Sequence, residues 1–336
     1  MDKRLIGQQR DYDGLCLLDQ FGWIRAKELA NMLWPNSKRP KVNASELVGK
    51  WMRAGWILTR HLPDNAGHAL VLSAAGAVHL RQLGYPGAAT GKDWGETHGS
   101  DWSPPKTWRH ELLAMGVLAH LYVQGWTIIP ERQLRRDNQP VQFPDGLARR
   151  GDCILWIEVE NSRKSGAHLR NMVTGLTLAS QARAEPLSGW VANRAFVAFV
   201  ADAEDERGYR LDHRNRVVAA LSARSSIDVP LMLASLTSNA AGGISTVAIE
   251  EITVDSRKVT ERLASIVWLS SIESPDFDAY EYFLQDGLEY RCGYGLAGWW
   301  WSVSQEGQEI ASADVPTIDM ARRALVAQLH YREWSR

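Results

Sequence analysis

The sequence has few cysteines, no long hydrophobic run and almost no net charge. Its three cysteines, Cys16, Cys153 and Cys292, lie far apart and form no CxxC spacing. This argues against a structural zinc site and a disulfide framework, and it favours a reducing compartment. No stretch approaches the roughly 18 apolar residues of a membrane span, and the first residues lack the apolar core of an export signal. We therefore expect a cytoplasmic protein with no membrane partner.

The charge balance limits how nucleic acid could be bound. The formal net charge of the 336 residues is −1, so a nucleic-acid partner would have to be contacted by local basic patches. The composition, 45% hydrophobic and 23% charged, is that of a globular protein with a sizeable core, and the length suits two or three domains.

Residues 1–88 show a pattern of three helices, a hairpin and a fourth helix. Apolar spacing predicts helices over 13–21, 25–34 and 44–54, with Asn43 or Ser45 capping the third. Residues 63–67 predict a turn between strands over 56–60 and 69–72, and a last helix covers 73–83. This order predicts a winged helix-turn-helix whose third helix enters the major groove of DNA.

The predicted third helix and its flanks are basic. Between residues 38 and 60, six basic residues stand against one acid, Glu46. Because cations are needed to contact phosphate, DNA contact is the favoured interpretation, and dimerisation with a solvated basic face is the alternative. The six candidate DNA-binding residues are Lys38, Arg39, Lys41, Lys50, Arg53 and Arg60.

Residues 89–105 are rich in glycine and proline, which predicts a linker. Trp94 and Trp102 lie in it and would pack the linker onto a domain. Residues 106–270 then alternate between helical and strand patterns. We expect a helix over 106–124, a strand over 126–130, an irregular stretch over 131–140, strands over 153–159, 195–200 and 246–254, and helices over 165–183 and 212–222. Such crossovers predict a layered α/β domain.

The segment 143–164, FPDGLARRGDCILWIEVENSRK, gathers acidic residues at the end of a buried strand. We expect Asp145 in a turn, a basic loop over 149–151 and a strand that ends on Glu158 and Glu160. Residues two apart in a strand share a face, and Asp145 would approach from a neighbouring strand or turn. Carboxylate oxygens suit Mg²⁺ or Mn²⁺, which can polarise a phosphate and activate water. The pattern predicts a metal site formed by Asp145, Glu158 and Glu160.

Two further residues complete this catalytic prediction. Glu111, near the start of the helix over 106–124, is a candidate ligand or outer-shell base, and Lys164 is a candidate contact to the scissile phosphate. The alternative is that the carboxylates are solvated or paired with Arg149, Arg150 or Arg163 in a domain that only binds. His110 and His168 are expected to be structural or surface residues.

The element order resembles the PD-(D/E)XK restriction-endonuclease-like fold. The motif consists of Pro144-Asp145, twelve intervening residues and Glu158-Val159-Glu160. Glu160 stands where that family has lysine, which puts catalysis in doubt. A winged helix followed by Trp108-Arg109-His110 and these acidic motifs also resembles the replication-relaxation family, over roughly residues 10–200. That resemblance implies a role in plasmid replication, DNA relaxation or mobilisation, in which related relaxases nick DNA with clustered acids.

Residues 273–336 predict a small antiparallel sheet of three or four strands with one helix. Strands are expected over 280–284, 288–294 and 299–304, and an amphipathic helix over 317–331. The run 299–301 consists of three tryptophans. Core packing explains at least one sheet face, and a nucleobase-stacking platform or a protein interface remains open for the other.

Together the patterns predict an α/β and α+β multidomain protein, made of a winged helix-turn-helix, a restriction-endonuclease-like core and a small sheet-plus-helix module. The predicted function is binding of double-stranded DNA at an origin or operator of a plasmid or integrative element, with Mg²⁺- or Mn²⁺-dependent nicking by an endonuclease or relaxase. The alternative is a non-catalytic regulator or accessory factor with a degenerate nuclease fold. A homodimer is left open.

Overall fold

A computed structural model describes most of the chain. It covers residues 3–98, 101–138, 142–161, 166–201, 214, 217–218, 220–221, 229–238, 244–254, 269–271, 280–285, 287–295, 298–306, 308–315 and 317–334. These residues form a mixed α/β structure with eight helices and several sheets, which confirms the predicted mixed class. The three cysteines are free thiols. Among the described helices, none is both long enough and apolar enough to cross a membrane.

The chain divides into two compact units. The first comprises Met1–Val159, Pro186–Trp190 and Ser238–Val247, and the second comprises Glu160–Glu185, Val191–Thr237 and Ala248–Arg336.

The first unit begins with four helices and a three-stranded antiparallel sheet in the order β1-β3-β2. The elements are α1 (Lys3–Phe21), β1 (Ile24–Arg25), α2 (Ala26–Leu33), α3 (Pro40–Arg53), β2 (Ile57–His61), β3 (His68–Leu72) and α4 (Ala74–Gln82). The predicted succession of three helices, a hairpin and a helix is present. Ser73 caps α4 by accepting a 2.9 Å hydrogen bond from the amide of Gly76.

Two predicted helix starts are wrong. α1 begins about ten residues earlier than expected, because its polar first half shows no apolar period. α3 begins at Pro40, four residues earlier than expected, and its N-cap is Arg39 rather than Asn43 or Ser45. Proline is well suited to the first turn of a helix, since its missing N–H has no partner to lose there.

The segment between α4 and the next long helix packs closely against the preceding elements. The amide of Gly91 donates to the carbonyl of Leu72 at 2.8 Å, and the amide of Ala89 donates to the Asp19 carboxylate at 2.8 Å. Trp94 stacks on Trp23 with ring centroids 4.6 Å apart, which confirms the predicted packing of Trp94. A small hairpin follows, made of β4 (Glu96–His98) and β5 (Asp101–Ser103).

The remainder of the first unit is a helix–sheet layer. Its strands β6, β7 and β8 pair antiparallel in that order, with Ile129 opposite Leu147 and Gly146 opposite Ile157. The elements are α5 (Trp108–Val123), β6 (Thr127–Pro130), α6 (Glu131–Asp137), β7 (Gly146–Arg150) and β8 (Cys153–Glu160).

Two expectations for this layer are wrong. The stretch expected to be irregular contains α6, which an i,i+4 pair between Glu131 and Arg135 and a buried Leu134 stabilise. Arg149 and Arg150, expected in a loop, form the end of β7 instead. The turn itself is made at Gly151, whose positive φ of 60° favours glycine.

The second unit contains α7 (Gly166–Ser180) and the parallel strands β9 (Arg194–Val200) and β10 (Val229–Ser238), the latter not predicted. β11 (Ile244–Val254) crosses the boundary between the units. The helix expected over 212–222 lies mostly outside the described residues, although Val217, Val218 and Leu221 are buried.

The end of the second unit is an antiparallel sheet of five strands, one more than the largest number predicted. α8 packs against β14 and β15, and Arg322 of α8 donates to Glu281 of β13. The elements are β12 (Leu269–Ser271), β13 (Tyr280–Gln285), β14 (Leu288–Gly295), β15 (Gly298–Gln305), β16 (Gln308–Val315) and α8 (Ile318–Trp334).

The tryptophan run divides between the two faces of this sheet. Glu281 is in register with Cys292, and Cys292 with Trp301, so Trp301 lies on the face covered by α8 and is fully buried. Trp300 lies on the other face, 6.4 Å from the ring of Tyr280. Ser302 on that second face is only 9% exposed. Tyr280, Tyr282 and Trp300 on this face are half-buried and Leu284 is 68% exposed, so the stacking platform and the protein interface both stay predictions.

Candidate functional site

Four of the six predicted DNA-binding residues lie exposed on or beside α3. Lys38 and Arg39 precede the helix, Lys41 lies in its first turn and Arg53 ends it. None of the four forms an ion pair with another residue in the described part of the chain. We refer to Lys38, Arg39, Lys41 and Arg53 as the α3 cations.

The other two predicted residues are engaged within the protein. Lys50 forms an ion pair with Asp11 of α1, whose other oxygen accepts a 2.9 Å hydrogen bond from the indole of Trp51. Arg60 lies 5.8 Å above the ring of Trp102. Lys50 therefore helps to hold α3 against α1, and its positive charge is compensated there.

Between the α3 cations the helix surface is mixed, since it includes the exposed apolar side chains of Val42 and Met52. Ser45 and Glu46 are exposed, and a Cβ placed on Gly49 would approach only the guanidinium of Arg53. Small side chains let the backbone of a helix come close to a partner. The hairpin β2–β3 beside α3 carries two exposed histidines in register, His61 and His68.

Asp145 lies immediately before β7 and is fixed by two hydrogen bonds. One carboxylate oxygen accepts a 2.6 Å hydrogen bond from the amide of Val159, and the other lies 2.8 Å from Nε2 of His110. Since Gly146 pairs with Ile157, the register places Asp145 beside Glu158 of the neighbouring strand. His110, expected to be structural or superficial, is thus joined to the predicted site.

Glu158 and Glu160 are buried, 4% and 2% exposed, on one face of β8. The indole of Trp156 donates a 2.9 Å hydrogen bond to Glu158. In the described ranges no group of three or more His, Cys, Asp and Glu side chains is close enough to hold a metal ion. The metal site predicted on the three carboxylates therefore stays a prediction, and Lys164 lies outside the described residues.

Glu111 is held by hydrogen-bond donors from three segments. The indoles of Trp23 and Trp94 donate to one oxygen at 2.7 and 3.0 Å, and the hydroxyl of Thr107 donates to the other at 2.6 Å. The Glu111 carboxylate therefore links α5 to the turn between α1 and β1, through Trp23, and to the segment that connects α4 with α5, through Trp94.

Two of these acidic residues, Glu111 and Asp145, line a cavity of about 460 Å³ in the first unit. Its charged and polar lining consists of Thr107, His110, Glu111, Glu131, Arg132, Arg135 and Asp145, and its apolar lining of Phe21, Trp23, Trp94, Ala114, Met115, Leu118 and Pro130. Burial raises the pKa of Glu131 and nearby Asp145 raises it further, whereas Arg135 and His110 lower it. A carboxyl group whose pKa is shifted by burial and by a neighbouring charge, and which lies in a cavity, marks a candidate functional site.

Sequence reasoning missed Glu131, Arg132 and Arg135 as members of this site. The stretch that carries them shows no apolar period, but Glu131 and Arg135 are four residues apart, the spacing of an ion pair on a helix.

Compared with known proteins, the chain matches no protein-family model, no curated protein and no solved structure.

Proposed function

We propose that this chain binds double-stranded DNA through residues 3–82, arranged as a winged helix-turn-helix with α3 as the recognition helix. We propose further that the layer containing β6–β8 belongs to a restriction-endonuclease-like core, as in replication-relaxation proteins of plasmids and integrative elements. DNA binding without cleavage, the role of a regulator or accessory factor, is the function that the geometry supports best.

The observation that carries this proposal is the exposure of the α3 cations without an internal counter-ion. Four exposed cations on one helix and its N-terminal flank attract phosphate. The β2–β3 hairpin, with His61 and His68 exposed, supports the same surface as the wing.

The test is fluorescence anisotropy of a labelled duplex with the double variant Lys41→Ala/Arg53→Ala. We expect at least about tenfold weaker binding, because two cations that would neutralise phosphates are removed. The matched control, Lys92→Ala/Lys106→Ala, removes two exposed cations of the same unit that lie outside α3 and its flank, and it should bind like the wild type. Equal affinity of the two double variants would remove α3 from the interface.

Metal-dependent nicking is the second candidate, with Asp145, Glu158 and Glu160 as ligands of Mg²⁺ or Mn²⁺. The observation that favours it is the position of Asp145 beside Glu158 on paired strands. Mg²⁺ is commonly held by one or two protein carboxylates, with water supplying its other ligands. Glu160 in place of lysine and the fixed hydrogen bonds of Asp145 favour the non-catalytic alternative.

A supercoiled-plasmid assay with Mg²⁺ or Mn²⁺ separates the two candidates. The non-catalytic function predicts that wild-type protein shifts the plasmid on a gel but leaves it supercoiled. Open-circular product that Asp145→Asn and Glu158→Gln both abolish would establish nicking instead. Product that persists in both variants would indicate a contaminating nuclease.

A further inference from the structure

The cavity of the first unit contains an arginine whose charge has no bonded counter-ion. Arg132 lines the cavity from α6, and its guanidinium donates one long hydrogen bond, 3.4 Å, to the carbonyl of Thr90. No carboxylate forms an ion pair with it among the residues that the structure describes. Burial lowers the pKa of Arg132, and the nearby carboxylates of Asp19, Glu111 and Asp93 offset this only in part. An anion bonded to the guanidinium would offset it further.

The other charged groups of the cavity already have partners. Glu131 is bonded to Arg135 at 2.7 Å, Asp145 lies 2.8 Å from His110, and Glu111 accepts three hydrogen bonds. Arg132 thus differs from them in that its guanidinium forms no ion pair among the described residues, and an anion that enters the cavity could bond to it directly.

The guanidinium is held in place by its surroundings. Gly22, with φ of 81°, leaves the space that the Arg132 side chain occupies, and any Cβ there would overlap that side chain. A confined arginine loses little conformational entropy when it binds an anion, which favours recognition of phosphate or carboxylate.

The rest of the cavity fits a planar ring with polar substituents. Phe21, Trp23 and Met115 supply apolar wall, while Glu131 and Asp145 supply hydrogen-bond acceptors. About 460 Å³ is within the range of cavities that hold small organic ligands. A ring, donor groups and one anionic group together are the chemistry of a nucleotide.

We propose that this cavity binds a nucleotide, with its phosphate at Arg132 and its base or sugar donors at Glu131 and Asp145. The ligand is either a free nucleotide or the terminal nucleotide of a DNA strand, since both present a phosphate, a sugar and a base. The site goes beyond duplex binding by α3, and it does not require the α3 cations.

Isothermal titration calorimetry tests the proposal with deoxyadenosine 5′-monophosphate, deoxyadenosine and a 5′-phosphorylated trinucleotide. The trinucleotide is too short to form a duplex, so failure of the α3 proposal would not affect the result. We expect the phosphorylated probes to bind at least about tenfold more tightly than deoxyadenosine, because the nucleoside cannot form a charge-assisted hydrogen bond with Arg132.

The variant Arg132→Gln should reduce binding of the phosphorylated probes at least about tenfold, whereas Arg150→Gln, an exposed arginine outside the cavity, should not. Arg132→Lys keeps the positive charge and should retain part of the affinity. That result would show that the loss in Arg132→Gln is not due to misfolding. Binding of the monophosphate assigns a free nucleotide, and binding of the trinucleotide alone assigns a strand end. Failure of both probes to bind, or equal affinity in Arg132→Gln, would overturn the site.

Discussion

At the scale of single residues, Asp11 controls how much positive charge α3 presents. It is 5% exposed, accepts a hydrogen bond from Trp51 and forms an ion pair with Lys50. Its carboxylate therefore stabilises the packing of α1 against α3, and it withholds one cation from any partner of the helix.

We predict that Asp11→Asn lowers stability and raises DNA affinity. The amide oxygen can still accept from Trp51, but the ion pair is removed, so the free energy of unfolding should fall by about 1 to 2 kcal/mol. Lys50 is then available to phosphate, and affinity for duplex should rise a few-fold. Urea denaturation and anisotropy measure the two effects.

The matched control is Asp13→Asn, which removes the same charge from the same helix. Asp13 accepts a hydrogen bond from Gln9 and has no contact with Lys50. An equal rise in affinity for both variants would show that only long-range charge is involved.

Glu131 should make stability depend on pH. Because burial and Asp145 raise its folded pKa above the ordinary value of 4.5, the folded state holds the proton more tightly than the unfolded chain. The stability contributed by protonated Glu131 is complete below that ordinary pKa and is lost as pH rises through the raised folded pKa.

We therefore predict that the wild type loses stability relative to Glu131→Gln as pH rises from about 4 towards neutrality. Urea denaturation of both proteins at a series of pH values gives the difference directly. A difference that stays constant, or that grows in favour of the wild type, would contradict the assignment.

At the scale of elements, the fold depends on close approach at a few glycines. Gly76 of α4 lies against the backbone of Trp56, where a Cβ would overlap the Trp56 carbonyl oxygen and approach Leu72 to 2.9 Å. α4 can lie this near to the start of β2 only because this position has no side chain.

Gly76→Ala should reduce the free energy of unfolding by about 2 to 3 kcal/mol, since the backbone must shift to admit the methyl group. Gly7→Ala is the matched control: a Cβ on Gly7 of α1 would meet nothing within 4 Å. That substitution should stabilise the protein by about 0.5 to 1 kcal/mol, from helix propensity alone. Equal destabilisation by both substitutions in urea denaturation would contradict the packing of α4.

The elements that the sequence predicted well are those with a strong local pattern. The AFVAFV run of β9 and the alternating hairpin of β2 and β3 are examples. α6 and the polar half of α1 were missed because tertiary interactions help to hold them. Arg136 of α6 pairs with Asp19, and Asp11 in the polar half of α1 pairs with Lys50. Periodicity cannot show such interactions.

The site was predicted in part for the same reason. Asp145 and Glu158 were expected to be neighbours, and the register of β7 and β8 makes them so. The pairing of Lys50 with Asp11 joins residues 39 positions apart, and that of His110 with Asp145 spans 35. Neither pairing is visible in the spacing of the sequence, so the composition of the cavity required the structure.

At the scale of the whole molecule, the helix–hairpin segment and the layer of α5 and β6–β8 belong to one compact unit. The segment that connects α4 with α5 is hydrogen-bonded to Leu72 and Asp19. Glu111 of α5 accepts hydrogen bonds from the indoles of Trp23 and Trp94. A duplex bound at α3, as proposed, would therefore be held in a fixed position relative to the cavity that contains Arg132.

The central claim is that the α3 cations bind phosphate, and the salt dependence of DNA binding tests it most directly. The magnitude of the slope of log K against log salt decreases by about 0.9 for each duplex phosphate that the protein no longer neutralises. Replacing all four α3 cations with alanine should reduce the magnitude of the slope by about 3 to 4. An unchanged slope, or a wild-type affinity that does not depend on salt, would contradict the account.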